Sequence, residues 1–181
     1  MRRDKALLPW GDGDLLGHAL ARLRAVVREV RILGGATGRY GDRGAGVDGD
    51  SIHGKGPLAG LLTALETAGD GGALLLAVDL PLVPESLLAR LLALAGSADA
   101  VVPVGPRGPE PLCAFYGAGC LDAVRRRIAA DELRMTSFWS DVRVRELPPR
   151  ELAAFGPADR LFLNVNTAAD YDAALQESRR R

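Results

Sequence analysis

The sequence carries no surplus of either charge: 23 Lys and Arg balance 23 Asp and Glu among 181 residues. A protein that coats nucleic acid or an anionic membrane needs a basic footprint, so any polyanion recognised here is small and locally bound. Cysteine is scarce. Cys113 and Cys120 are too few for a disulfide framework and read as two buried, reduced thiols, in keeping with a cytoplasmic setting. Long apolar runs are missing: Ala73 to Val78 falls far short of the ~20 residues that cross a bilayer. The opening Met1 to Trp10 stretch lacks the ~7–15-residue apolar core of a signal peptide. His18 and His53 have no Cys or carboxylate at metal-ligand spacing, which argues against zinc. No repeat and no linker divides the chain, so one domain over residues 1–181 is expected.

What is present is an alternation of helical and strand-like patterns. Asp14 is a candidate N-cap for a helix over 14–25, with Leu15, Leu16, Ala19, Leu20 and Leu23 on one face. A strand at Val30 to Leu33 leads into a glycine-rich stretch from Gly34 to Gly56, read as a long functional loop. Pro57 opens a helix to about Ala68. The uninterrupted run Ala73 to Val78 reads as a strand buried on both faces of a parallel sheet. A helix over Leu87 to Ala95, strands at Ala100 to Val104 and Leu112 to Tyr116, and a basic helix from Leu121 to Ala130 come next. Strands at Val142 to Leu147 and Leu161 to Leu163 precede a final helix from Thr167 or Asp170. This order predicts an α/β fold with a mostly parallel sheet and right-handed crossovers.

In open α/β sheets, ligands bind beyond the carboxyl ends of the strands. Asp79 ends the most apolar strand, and Pro81 stiffens the turn after it. A carboxylate there suits Mg²⁺, which takes one or two protein oxygens when substrate phosphates and water complete its octahedron; the other reading is a turn or cap Asp. The loop and helix start from Gly54 to Gly60 would expose main-chain N–H groups to an anion, or be an ordinary Gly-Pro helix entry. Asp50, with Asp48 as a near neighbour, is a candidate acceptor for a base or ribose. Asn164 and Asn166, at i and i+2 on an extended segment, point two amides the same way, while Asn166 or Thr167 caps the last helix. Lys5 is a candidate phosphate cation. Arg125 to Arg127 reads as a solvated helix face or a positive rim.

In order along the chain, Asp4-Lys5-Ala6-Leu7-Leu8, Asp50 with Gly56-Pro57-Leu58-Ala59-Gly60-Leu61, Asp79-Leu80-Pro81, Glu110-Pro111-Leu112 and Asn164-Val165-Asn166-Thr167 resemble the molybdenum cofactor guanylyltransferase (MobA-like NTP transferase) family. The resemblance spans essentially the whole chain, and the GPLAGL and NVNT pieces are its most specific parts. It implies a three-layer, Rossmann-like nucleotidyltransferase fold. The activity it implies is transfer of GMP from Mg-GTP to the terminal phosphate of molybdopterin, releasing pyrophosphate. By the same resemblance Lys5, Asp50 and the Gly56-Pro57-Leu58 turn contact GTP, Asp79 holds Mg²⁺, and Asn164 and Asn166 line the pterin side. Lys5 and Asp79 are then the catalytic pair, with molybdoenzymes or other cofactor-biosynthesis proteins as partners. The alternatives are a CTP-dependent or sugar-phosphate nucleotidyltransferase, or a non-catalytic cofactor-binding relative.

One departure stands out. The family opens with a strand and a loop of the type LAGGxSxRMGxDK, and here Met1 matches the motif Met, with Arg2 in place of the usual Gly. The first strand and its phosphate-cradling loop are therefore absent from this sequence, which predicts two open strand edges. A start codon assigned too far downstream is the expectation.

Overall fold

In the computed structural model, residues 4–34, 40, 43, 45–48 and 56–180 are described. The main sheet has the order β5-β8-β6-β9, formed by β5 (Ala73–Leu76), β8 (Cys113–Tyr116), β6 (Ala100–Gly105) and β9 (Val144–Leu147). Before it in the chain come the hairpin β1 (Pro9–Trp10) and β2 (Gly13–Asp14), and the parallel pair β3 (Arg31–Leu33) and β4 (Gly46–Asp48). A short β7 (Gly108–Pro109) folds back on the end of β6. The sheet is mixed rather than mostly parallel. β8 runs against both neighbours, so β5, β6 and β9 share one direction, but β6–β9 is the main sheet's one parallel ladder among the described residues. An apolar run marks a strand without fixing its direction, which is why β8 was not distinguishable in advance.

Alternate side chains divide between two cores, as the two-residue period of a strand requires. Ala100, Val102, Ala114 and Tyr116 pack on one face, beneath α2 (Gly56–Ala68) and α4 (Leu121–Ala129). Val101, Cys113, Phe115 and Leu147 pack on the other, against α3 (Glu85–Ala93), α5 (Pro149–Leu152) and α6 (Ala158–Leu161). The result is three layers. α1 (Leu15–Arg24) is capped by Asp14, whose Oδ1 accepts from the Gly17 N–H at 2.8 Å. The two guanidinium nitrogens of Arg43 fork onto the same carboxylate at 2.7 and 2.8 Å, and this pairing holds the Asp14 pKa below its ordinary 3.8.

Two expectations are corrected. Leu161 to Leu163 is not a strand: the Pro157 carbonyl accepts from the N–H groups of Arg160 and Leu161 at 3.1 and 2.9 Å, which closes α6 instead. β5 is not a strand buried on both faces of a parallel sheet: it pairs antiparallel with β8, and its residues are half-buried. Among the described residues it pairs on one edge with β8, and β3 pairs on one edge with β4. Between them, flanked by α1 and α2, lies a cavity of about 670 Å³ lined by Leu20, Ile32, Gly60, Leu74 and Leu76. Several of the half-buried side chains of β5 line this cavity. At the start of β5, Gly72 has φ +70°, and a Cβ there would lie 2.6 Å from the Tyr116 carbonyl oxygen.

Candidate active site

The site forms beyond the carboxyl end of β5. The Leu80 N–H donates to the Ala77 carbonyl at 3.2 Å, closing the turn that carries Asp79. The Asp79 main-chain carbonyl in turn accepts from the Val165 N–H at 2.9 Å, so residues 164–166 are fastened alongside it. From that segment Asn164, with its amide nitrogen turned to the carboxylate, donates to both Asp79 oxygens at 3.1 Å. The opposite amide orientation would set oxygen against oxygen.

Lys5 arrives from the other end of the chain. Asp4 caps a single 3₁₀ turn, Lys5–Leu7, by accepting from the Ala6 N–H at 3.1 Å. Leu8 and Trp10 then anchor the segment against Leu15, Val165 and Ala174. From this turn Lys5 Nζ donates to Asn166 Oδ1 at 2.9 Å and lies 3.4 Å from Asp79 Oδ2. The ammonium is about one-third exposed and the carboxylate 23%, so both remain open to a ligand.

Thr167, not Asn166, caps α7 (Ala168–Ser178). Its side chain accepts from the Asp170 N–H at 3.2 Å, and Asp170 accepts from the N–H groups of Thr167 and Asn166 at 2.8 and 3.1 Å. Those backbone bonds depress the Asp170 pKa. The cap leaves the Asn166 amide oxygen for Lys5. Asp79, Lys5, Asn164 and Asn166 are thus brought together from three stretches of the sequence.

The other expected contacts divide. Gly56 and Pro57 are exposed at the start of α2 and line the cavity between β3 and β5. The Leu58 side chain is fully buried with Leu61 and Leu65 on the apolar stripe of the helix, which leaves only its main chain for a nucleotide contact. Asp50 lies outside the described residues, and of Asp48 only the main chain is described, paired to Leu33. Arg125 to Arg127 pair with Glu66, Asp122, Glu132 and Asp141 on a solvated face. The Nε2 atom of His18 accepts from Arg22 Nε at 2.8 Å. Cys113 and Cys120 are buried, and burial pushes the Cys120 thiol up to about 12, which disfavours the reactive thiolate.

Two residues at the same mouth carried no expected role. Glu110 follows β7, and its carboxyl pKa is raised, first by burial, with Arg107 and Asp79 acting on it in opposite directions. Arg107, in the turn between β6 and β7, also acts on Asp170. The Glu110-Pro111-Leu112 triplet was the available signal for this position.

The donor set suits a hard divalent cation. Asp79 Oδ2 and Asn166 Oδ1 are both oxygen donors, and both already face one cation, the Lys5 ammonium. Among the described residues no cluster of three or more His, Cys, Asp or Glu could cage a metal. The arrangement therefore suits an ion that takes few protein oxygens and completes its shell with phosphates and water.

A family model described as "MobA-like NTP transferase domain" matches residues 1–144. A protein named "Molybdenum cofactor guanylyltransferase" from Acidiphilium cryptum is 35% identical over 177 residues, covering 94% of this chain and 85% of its own. One named "Probable molybdenum cofactor guanylyltransferase" from Carboxydothermus hydrogenoformans is 30% identical over 176 residues, covering 97% and 89%. The crystal structure of molybdopterin-guanine dinucleotide biosynthesis protein A from Archaeoglobus fulgidus has the same fold, with a TM-score of 0.85 at 22% identity over 99% of this chain and 93% of that one. Matched over most of its length, and with an Asp79–Lys5–Asn166 cluster at the sheet edge, this chain belongs to the MobA-like NTP transferase family.

Proposed function

We propose that this nucleotidyltransferase moves GMP from GTP to the terminal phosphate of molybdopterin, with Mg²⁺ held by Asp79, in the cytoplasm. The observation that carries the reading is the meeting of Lys5, Asp79, Asn164 and Asn166 beyond the carboxyl end of β5. Nucleotidyl transfer asks for positioning and charge compensation rather than covalent help. An oxygen of the acceptor phosphate bonds to the α-phosphorus of GTP in line with the departing bond. The bond from that phosphorus to the bridging oxygen breaks, and pyrophosphate leaves with the electron pair. A bound Mg²⁺ supplies further positive charge to the phosphates.

The protein's own groups do the rest. The Lys5 ammonium, aimed by Asn166, meets developing charge on the phosphates without reorganising. Asn164 donates to both Asp79 oxygens and so fixes the carboxylate's orientation. No general base is needed, since the second ionisation of a phosphate monoester lies near pH ≈ 6. Pro57 has no N–H of its own, so at this exposed helix entry the main-chain donors for an anionic ligand are those of Gly56 and of Leu58 onward. The absence of any helix long and apolar enough to cross a membrane, among the described residues, is compatible with this setting.

Calorimetric titration with Mg-GTP and Mg-CTP tests the donor, and mass spectrometry of the pterin product tests the transfer. Preference for GTP with a guanine dinucleotide product is expected. No preference, or preference for CTP, would overturn the reading.

A further inference from the structure

Glu110 is fixed at its main chain on both sides: its N–H donates to the Pro103 carbonyl at 2.9 Å, and its carbonyl accepts from the Cys113 N–H at 3.0 Å. Its side chain lies over Gly105, where a Cβ would come within 2.7 Å of Glu110 Oε1 and 2.9 Å of the Phe162 ring. Glycine at 105 thus makes the space in which this carboxylate sits. Among the described residues the carboxylate accepts no hydrogen bond and joins no ion pair, although it is half-buried. Its oxygens are therefore left for water or for the donors of a ligand. Arg107, exposed at the turn of the same hairpin, is likewise in no ion pair.

Sheet order decides which ligand this wall faces. β3, the cavity and the Gly56–Pro57 helix entry lie on the open edge of β5. The β6–β7 hairpin lies on the other side, across β8, beside the Asn166–Asp170 segment. The phosphates are handled between the two halves, at Lys5 and Asp79. A nucleotide on the helix-entry side leaves the hairpin side to the acceptor.

We infer that Glu110 reads the pterin ring of the acceptor, its two oxygens accepting from the adjacent N–H groups of the 2-amino-4-oxo edge, while Arg107 meets an acceptor oxygen anion. The inference rests on molybdopterin being the acceptor. The chemistry is that of an ionised carboxylate, which only accepts, against two parallel donors, a bidentate match. Guanine presents the same donor edge, so the two substrates are told apart by the half of the cleft they enter. Burial and the nearby Asp79 carboxylate raise the Glu110 pKa, and only Arg107 acts against that shift; the paired donors of the ligand would favour the ionised form.

The test uses the full chain and two stable probes, 6-hydroxymethylpterin phosphate and the corresponding lumazine phosphate, which has oxygen in place of the 2-amino group. Binding of each probe and of Mg-GTP is measured for the parent, Glu110→Gln and Glu110→Ala. The parent is expected to prefer the pterin. Both variants should bind it about tenfold to a hundredfold more weakly, the loss expected for hydrogen bonds to a charged group, and should lose the preference over lumazine while binding Mg-GTP unchanged. Pterin binding unaltered in both variants refutes the inference alone. Equal losses for Mg-GTP and pterin refute the assignment of Glu110 to the acceptor side. A parent that shows no saturable pterin binding, with or without Mg-GTP, refutes the acceptor reading and the inference with it.

Discussion

Replacing Lys5 by Met separates what this residue does for the fold from what it does for the reaction. Met keeps the length and apolar stem of the side chain but removes the charge that spans Asp79 Oδ2 at 3.4 Å and Asn166 Oδ1 at 2.9 Å. The ion pair is partly exposed on both sides, so its loss should cost ~0.2–1 kcal/mol. For a chain of this size that lowers Tm by at most about 4 °C. The 3₁₀ turn stays capped by Asp4 and the hairpin stays anchored through Trp10, neither of which uses the ammonium. The chemical step is different. A preorganised donor aimed at developing charge is worth ~2.7–4 kcal/mol, a factor of about 10²–10³ in kcat. Thermal unfolding and steady-state pyrophosphate release, measured on the same samples, give both numbers. A kcat within threefold of the parent would refute the role given to Lys5, and so would a fall in kcat fully explained by unfolding.

Two further outcomes follow from the geometry. Gly72→Ala forces a side chain into φ +70° and within 2.6 Å of the Tyr116 carbonyl, so it should cost about 3 kcal/mol and lower Tm by roughly 6–12 °C. An unchanged Tm would contradict the β5–β8 packing. The Arg43 fork depresses the Asp14 pKa below 3.8, so the stability it contributes is fully present above pH 3.8 and is lost as pH falls through the folded value. Melts of Asp14→Asn against the parent should therefore show a Tm difference that is constant at higher pH and shrinks in acid; a difference that grows in acid would contradict the pairing.

How much of this was legible in the sequence depends on how local the signal is. α2 and α4 were readable because Leu58, Leu61, Leu62 and Leu65, and Ala123, Val124 and Ile128, repeat at helical spacing. Leu161 to Leu163 misled because three apolar residues carry no period, and the decisive signal was Pro157 upstream. β4 lay hidden in the glycine-rich stretch, since its pairing with β3 is made by main-chain groups that residue type does not reveal. The hairpin β1–β2 turns at Gly11, φ +57°, and its two-residue strands are too short for alternation to show. Within the site, Asp79, Lys5, Asn164 and Asn166 were legible as an ordered set of motifs. Their mutual contacts were not, because residues 5 and 166 meet through tertiary packing alone. The burial of the Leu58 side chain was not legible, because a motif position does not say which face of a helix the side chain joins. Glu110 was visible as part of a motif, but the packing of its carboxylate over Gly105 exists only in three dimensions.

The central claim is that Asp79 is the charged pivot of nucleotidyl transfer, and Asp79→Asn tests it most directly. The substitution keeps the shape of the side chain and the Val165 contact, which uses the main-chain carbonyl. Metal-dependent transfer of GMP from GTP to molybdopterin, measured beside Tm in the full-length protein, should fall at least about 100-fold while the fold survives. Transfer within threefold of the parent, in a protein that still folds and binds both substrates, would contradict the account.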